Sequence, residues 1–219
     1  MPAVRRQPSL LFAAARYLLG PPPDLAALRA LASNRAADLA GTMMTRRTQT
    51  NEPARCATLL PGKYSYDYAG HRVAGTDPGA PVLACEPRGP VPLPERVPDV
   101  AWRAGLDLNP LDVTSDDDVR WLQCLVWPGE TGRLGRLGAA VETARRDPPP
   151  VHRGDLLTDV PDLVRQAPRG ATVVVYHSAV LSAGPERQRG GRAHRLARPL
   201  GRVAAVTSRS RPATGGPGA

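Results

Sequence analysis

Residues 9–48 carry apolar positions at a helical period. Ser9 is placed to cap a first helix that ends at Gly20-Pro21-Pro22-Pro23, and Asp24 to cap the next. Leu28, Ala32, Ala36, Leu39 and Met43 recur at spacings of four, four, three and four, which predicts one shared apolar face. A polar run from Arg46 to Glu52 follows and stops at Pro53. The period then drops to two: Tyr64, Tyr66 and Tyr68 alternate with Ser65 and Asp67, and Val82-Leu83-Ala84-Cys85 also reads as a strand. Prolines between Pro87 and Pro98 predict a stiff, extended connection.

From residue 102 the pattern becomes α/β. Gly105-Leu106-Asp107-Leu108-Asn109-Pro110 predicts a short buried strand running into a loop. Ser115 caps a helix on which Val119, Leu122 and Val126 share a face. Leu134, Leu137, Val141 and Ala144 mark a second helix, which Gly132, Gly135 and Gly138 weaken by about 1 kcal/mol each relative to Ala. Val151-His152-Arg153-Gly154-Asp155 reads as a strand ending in an acid. A short helix around 160–166 leads to the strongest strand pattern, Ala171 to Tyr176. Strands alternating with helices, each strand a continuous apolar run, imply a parallel and buried sheet. Beyond Leu181 no period survives, and residues 182–219 are expected to be disordered.

Composition qualifies this picture. With 25 prolines, 21 glycines and one phenylalanine among 219 residues, a core must be built from Leu, Val and Ala. The net charge of +9 is uneven: residues 181–219 hold eight arginines against Glu186, whereas residues 1–180 are nearly balanced. Lys63 is the only lysine and isoleucine is absent, the signature of a GC-rich coding sequence, so the charge says little about nucleic acid. Tail arginines without aromatic neighbours offer only salt-sensitive phosphate contacts, and nucleic acid is not the expected partner. Cys56, Cys85 and Cys124 fit neither a disulfide framework nor a CxxC zinc site, which suits reduced thiols in the cytoplasm. Arg5-Arg6 before Leu10-Leu11-Phe12 mimics an export signal, but Arg16 interrupts the apolar run and an amphipathic helix is expected. No apolar run approaches the length of a membrane span.

Candidate chemistry lies at strand ends, because open parallel sheets bind ligands outside their carboxyl ends. Asp107 with Asn109, Asp155, and His177 with Ser178 occupy three such ends. A carboxylate there accepts ribose hydroxyls or an adenine amino group, and a histidine can serve as a general base. The same residues can also simply cap loops. Gln49, Asn51 and Glu52, at the end of an apolar helix, suit either a site or a cap. Asp116-Asp117-Asp118 reads as a helix first turn favoured by the dipole and not as a metal site. Arg153-Gly154-Asp155 matches an adhesion tripeptide by chance. Walker, nucleophile-elbow, zincin and G-x-G-x-x-G motifs are missing from the sequence.

Arg47-Thr48-Gln49-Thr50-Asn51-Glu52, Tyr64-Ser65-Tyr66, Gly105 to Asp112, Val126-Trp127-Pro128, Arg153-Gly154-Asp155 and Tyr176-His177-Ser178 occur in one order. Together they resemble the actinobacterial family called domain of unknown function 2332, over about residues 8–181. The resemblance implies a class I, S-adenosylmethionine-dependent methyltransferase fold. It implies Asp107 and Asn109 near the cofactor ribose, and Asp155 near its adenine. His177 and Ser178, with Asn51 and Glu52, would lie near the methyl transfer. It implies no metal, and a methyl acceptor it does not identify.

The chain departs from that family twice. Only Pro61-Gly62-Lys63 separates Leu60 from Tyr64, where the family carries a first strand and a glycine loop. After Leu181 an Arg/Gly/Pro tail replaces the expected helix and strands and resembles out-of-frame translation. The sequence reading is therefore an N-terminal helical segment (1–52), an incomplete Rossmann-like α/β domain (53–181) and a disordered tail (182–219). The implied methyltransferase is impaired or inactive; the alternatives are a non-catalytic remnant of the family, or non-specific nucleic-acid binding through the basic tail.

Overall fold

The computed structural model describes residues 8–20, 24–46, 62–73, 75, 81–127, 129–156, 158–178 and 203–208. It is a mixed α/β structure with six helices and three small sheets among these residues. Three helices come first: α1 (Pro8–Leu19), α2 (Leu25–Asn34) and α3 (Ala36–Arg46). Next are strands β1 (Ser65–Tyr68), β2 (His71–Val73), β3 (Val82–Ala84) and β4 (Gly105–Asp107). The chain continues through α4 (Asp116–Leu125), α5 (Thr131–Arg146), β5 (Val151–Arg153), α6 (Val160–Val164), β6 (Val173–Ser178) and β7 (Val203–Ser208).

Local chemistry explains several boundaries. Asp24 caps α2 by accepting the Ala27 N–H at 2.7 Å, and Ser115 caps α4 by accepting the Asp118 N–H at 3.3 Å. Arg16 of α1 caps the other end of α4: its guanidinium donates to the carbonyls of Cys124 and Val126, which have no partner within the helix. Between α2 and α3 the helix breaks at Arg35, whose φ of −131° leaves the helical region. That break corrects the expected continuous face. Leu31 and Met43 are buried, while Ala32 and Ala36 face solvent, because the kink rotates the two helices out of register.

The core is divided into small clusters, as a chain short of large apolar side chains requires. Leu10, Ala13 and Ala14 of α1 pack on Trp121 of α4 and Met43 of α3. The two alanines let α1 approach closely enough for Trp121 to be fully enclosed, with Tyr17 edge-on at 5.8 Å. Leu122 and Val126 meet Leu137 and Val141 of α5 in a second cluster. Ala140 and Ala144 make a shallow face on α5 that receives buried Tyr64. Leu134, expected on the buried side of α5, is 41% exposed because it lies a turn before the packed stretch. Under β4, Leu106 packs with Val160, Leu156 and Val164.

The sheets differ from the single sheet expected. β1 pairs antiparallel with β2 and parallel with β3. The β1–β2 turn holds Ala69 and Gly70 at φ 56° and 98°, the positive pair that a tight hairpin requires. Asp67 steadies it by accepting the Gly70 N–H at 2.7 Å. β4 pairs with β5 in parallel, as expected, and β6 pairs in parallel with β7, but in two separate sheets. The expectation of buried strands fails for the same reason. A two-stranded ribbon leaves a face open, and Val174 of β6 is 57% exposed. Within the tail, residues 203–208 pair with β6 as β7, a backbone pairing that needs no apolar period. The rest of 182–219 lies outside the described residues. No helix among the described residues is long and apolar enough to cross a membrane.

Candidate functional site

The parallel register places Asp107 directly opposite Arg153, so β4 and β5 end side by side. Past that point the two chains are locked together. Gly154 N–H donates to the Asp107 carbonyl at 2.9 Å, extending the ladder by one bond. Asp107 Oδ1 accepts the Asn109 N–H at 2.7 Å and turns the chain out of the strand. The Asn109 amide is fixed at both ends: its Nδ2 donates to the Arg46 carbonyl at 3.2 Å, and its Oδ1 accepts from Arg153 at 3.4 Å. The C-terminus of α3 is thereby attached to the mouth of the strand pair.

On the β5 side, Asp159 folds back over the turn. Its Oδ2 accepts the Asp155 N–H at 2.7 Å and its Oδ1 accepts from Thr158 Oγ1 at 2.7 Å. These two bonds, the Thr158 hydroxyl first, hold the Asp159 carboxyl below the usual range. Glycine at 154 gives these side chains room: a Cβ there would lie 2.5 Å from Asp159 Oδ2 and 2.8 Å from Leu106 Cδ1, and both would have to shift. The Arg153-Gly154-Asp155 sequence is therefore the product of a crowded strand exit. Leu108, between Asp107 and Asn109, is 69% exposed and gives the mouth an apolar side.

Residues 61–212 match the family described as "Uncharacterized protein conserved in bacteria (DUF2332)".

The chain belongs to the DUF2332 family.

Neither the curated proteins nor the solved structures contain a match to it. The DUF2332 match runs past Leu181 to residue 212 and so takes in β7, whereas the sequence reading ended the resemblance at 181. Helices α1–α3 precede the matched range.

Of the residues singled out from sequence, Asp107, Asn109 and Asp155 come together at the β4–β5 mouth of this DUF2332 chain. His177 and Ser178 end β6, in a different sheet, so the three strand exits do not belong to one continuous sheet. The side chains of His177 and Ser178 lie outside the described residues, as do Asn51, Glu52, most of the basic tail and Cys56. Cys124 is half-buried, and burial pushes its thiol pKa up, which suits an inert structural thiol. Among the described residues no group of three His, Cys, Asp or Glu side chains is placed to hold a metal.

The acids of the α4 first turn do more than satisfy the helix dipole. Arg46 binds Asp117 and, at 2.8 Å, Asp118, and it donates to Tyr17 Oη at 2.8 Å. Asp116 pairs with Arg145 of α5 at 2.6 Å. Arg46, Arg153 and Asp159 are the site residues that sequence reasoning missed. Arg46 lay in a polar run, and Arg153 in a tripeptide set aside as chance. Asp159 stood four residues past Asp155, a spacing that suits a carboxylate folding back onto a backbone N–H.

Proposed function

We propose that the mouth of β4 and β5 holds the nucleoside end of S-adenosylmethionine, in a methyltransferase-like protein whose transfer activity is impaired or lost. The observation that supports this reading is the pairing of β4 with β5, which sets Asp107 beside Arg153-Gly154-Asp155 at adjoining carboxyl ends. The donor set fits that half of the cofactor. A carboxylate at one exit accepts ribose hydroxyls, a second faces an adenine amino group, and exposed Leu108 offers an apolar surface to the base. The Asn109 amide, oriented by Arg46 and Arg153, keeps the Asp107 loop in place.

When bound, S-adenosylmethionine supplies an electrophilic methyl group on its sulfonium. The chain's own part is to bind and orient the nucleoside, and His177 at the end of β6 is the proposed base for an acceptor. The methionine end has no glycine cradle in the sequence between Leu60 and Tyr64, so affinity is weak.

Calorimetric titration of the full chain with S-adenosylmethionine tests this. The expected result is a dissociation constant in the millimolar range, raised about tenfold by Asp107→Asn or Asp155→Asn through loss of a charge-assisted hydrogen bond. Absence of binding at millimolar ligand, or binding indifferent to both substitutions, would overturn it.

A further inference from the structure

The loop that leaves β4 is held at two points, and both lead back to one residue. Asn109 Nδ2 donates to the Arg46 carbonyl at 3.2 Å, and the Asp112 N–H donates to Asp118 Oδ2 at 2.9 Å. The other oxygen of Asp118, Oδ1, accepts from the Arg46 guanidinium at 2.8 Å. Arg46 and Asp118 thus close a hydrogen-bonded ring around residues 109–112. Inside that ring Pro110 has a fixed φ, so anchoring the two ends leaves the loop few soft dihedrals. Asp112 continues the hold toward α4, its Oδ1 accepting the Thr114 N–H at 2.8 Å and the Thr114 hydroxyl at 2.7 Å.

The ring bears on the β4–β5 mouth because Asp107 Oδ1 accepts the Asn109 N–H at 2.7 Å. Where Asn109 sits therefore sets the direction of the Asp107 carboxylate. We propose that Asp118 is a positioning residue for this mouth: through Arg46 and Asp112 it fixes the 109–112 loop and so aims Asp107 at the ribose of the ligand. The role requires a carboxylate. A guanidinium and a backbone N–H arrive at its two different oxygens, whereas an Asn would turn an oxygen to one donor and an N–H to the other. Asp116 lies in the same first turn of α4 and meets the helix dipole as Asp118 does, but it pairs instead with Arg145 of α5. Arg46 precedes residues 61–212, so the N-terminal helices contribute to the mouth of the family region. The inference rests on the ribose-binding reading of Asp107; the ring itself does not.

Hydrogen exchange and calorimetric titration with S-adenosylmethionine test it, on the full chain and on its Asp118→Asn, Asp118→Glu and Asp116→Asn variants. Asp118→Asn should speed exchange of the Asn109 and Asp112 amides about tenfold or more, and the Val141 amide inside α5 much less, because the opening is local. The same variant should raise the dissociation constant for S-adenosylmethionine about fivefold. Asp118→Glu, which keeps both oxygens, should recover part of both effects. Asp116→Asn removes an equal charge from the same helix end and should change neither. Loop exchange that Asp118→Asn leaves unaltered, or that speeds only as much as Val141 does, would overturn the proposal. So would equal effects from Asp116→Asn, or an affinity for S-adenosylmethionine that Asp118→Asn does not change. Faster loop exchange in a chain that binds no S-adenosylmethionine at all would sink the cofactor reading and leave the hold of Asp118 on Asp107 standing.

Discussion

Arg46 and Asp118 meet at 2.8 Å across the junction of α3 and α4, each side chain less than a quarter exposed. The same guanidinium binds Asp117 and Tyr17, while the Arg46 backbone carbonyl holds the Asn109 amide. One residue therefore ties together α1, α3, α4 and the loop that leaves β4. The acids it uses come from the first turn of α4, where the helix dipole already favours them.

Replacing Arg46 by Met leaves Asp117 and Asp118 close together without their shared cation. A loss of about 1–3 kcal/mol is expected, the range for charge-assisted hydrogen bonds at a partly buried site. Urea denaturation measures it. Arg46→Lys should recover only part of the loss, because one ammonium cannot reproduce the guanidinium fork.

Trp121→Ala removes the largest enclosed side chain of the α1–α4 contact and should cost about 3–5 kcal/mol. Val174→Ala, on an open strand face, should stay within about 0.5 kcal/mol. Equal effects of the two substitutions in denaturant midpoints would contradict this division of the core.

Gly154→Ala drives a methyl group against Asp159 Oδ2 and Leu106. The Asp159 carboxylate must swing away and release the Asp155 N–H, so a loss of about 1–3 kcal/mol is expected. The double variant with Asp159→Ala should lose less than the sum of the two singles, a coupling that a double-mutant cycle measures directly.

Stability should fall at both ends of the pH scale. Asp117 is held below its ordinary range by the Tyr17 hydroxyl and Arg46, and Asp147 by Arg103 and Lys63. A carboxyl depressed on folding contributes stability above its unfolded value, near pH 4, and that contribution disappears as pH falls through the folded value. Tyr17 is raised by its bond to Asp117 and Tyr66 by burial. An acid raised on folding contributes below its unfolded value, near pH 10, and loses that contribution as pH rises through the folded value. Urea midpoints measured across pH should form a plateau with two shoulders. Asp117→Asn should flatten the acidic shoulder, and Tyr66→Phe the alkaline one.

Elements whose stabilising contacts are local were legible in the order of residues alone. Asp24 and Ser115 announced α2 and α4 because a cap bonds to a backbone N–H three residues away. Gly105 to Asp107 and Val151 to Asp155 read as parallel strands ending in acids, because short apolar runs alternated with helices, and the structure pairs Gly105–Asp107 with Val151–Arg153. Features that depend on a distant partner emerged from packing and strand pairing. The hairpin strand β2 and strand β7 come from backbone pairing, which leaves little trace in side-chain pattern. The kink at Arg35 exposed Ala32 and Ala36 despite their correct spacing, because a period specifies a face only while the helix is unbroken. The division into three sheets follows the same logic: each strand shows its own apolarity in sequence, whereas its neighbour is set by what the rest of the chain brings alongside. Arg46 and Asp118 lie 72 residues apart, and their contact became visible only when α1 and Trp121 had packed and brought α3 against α4.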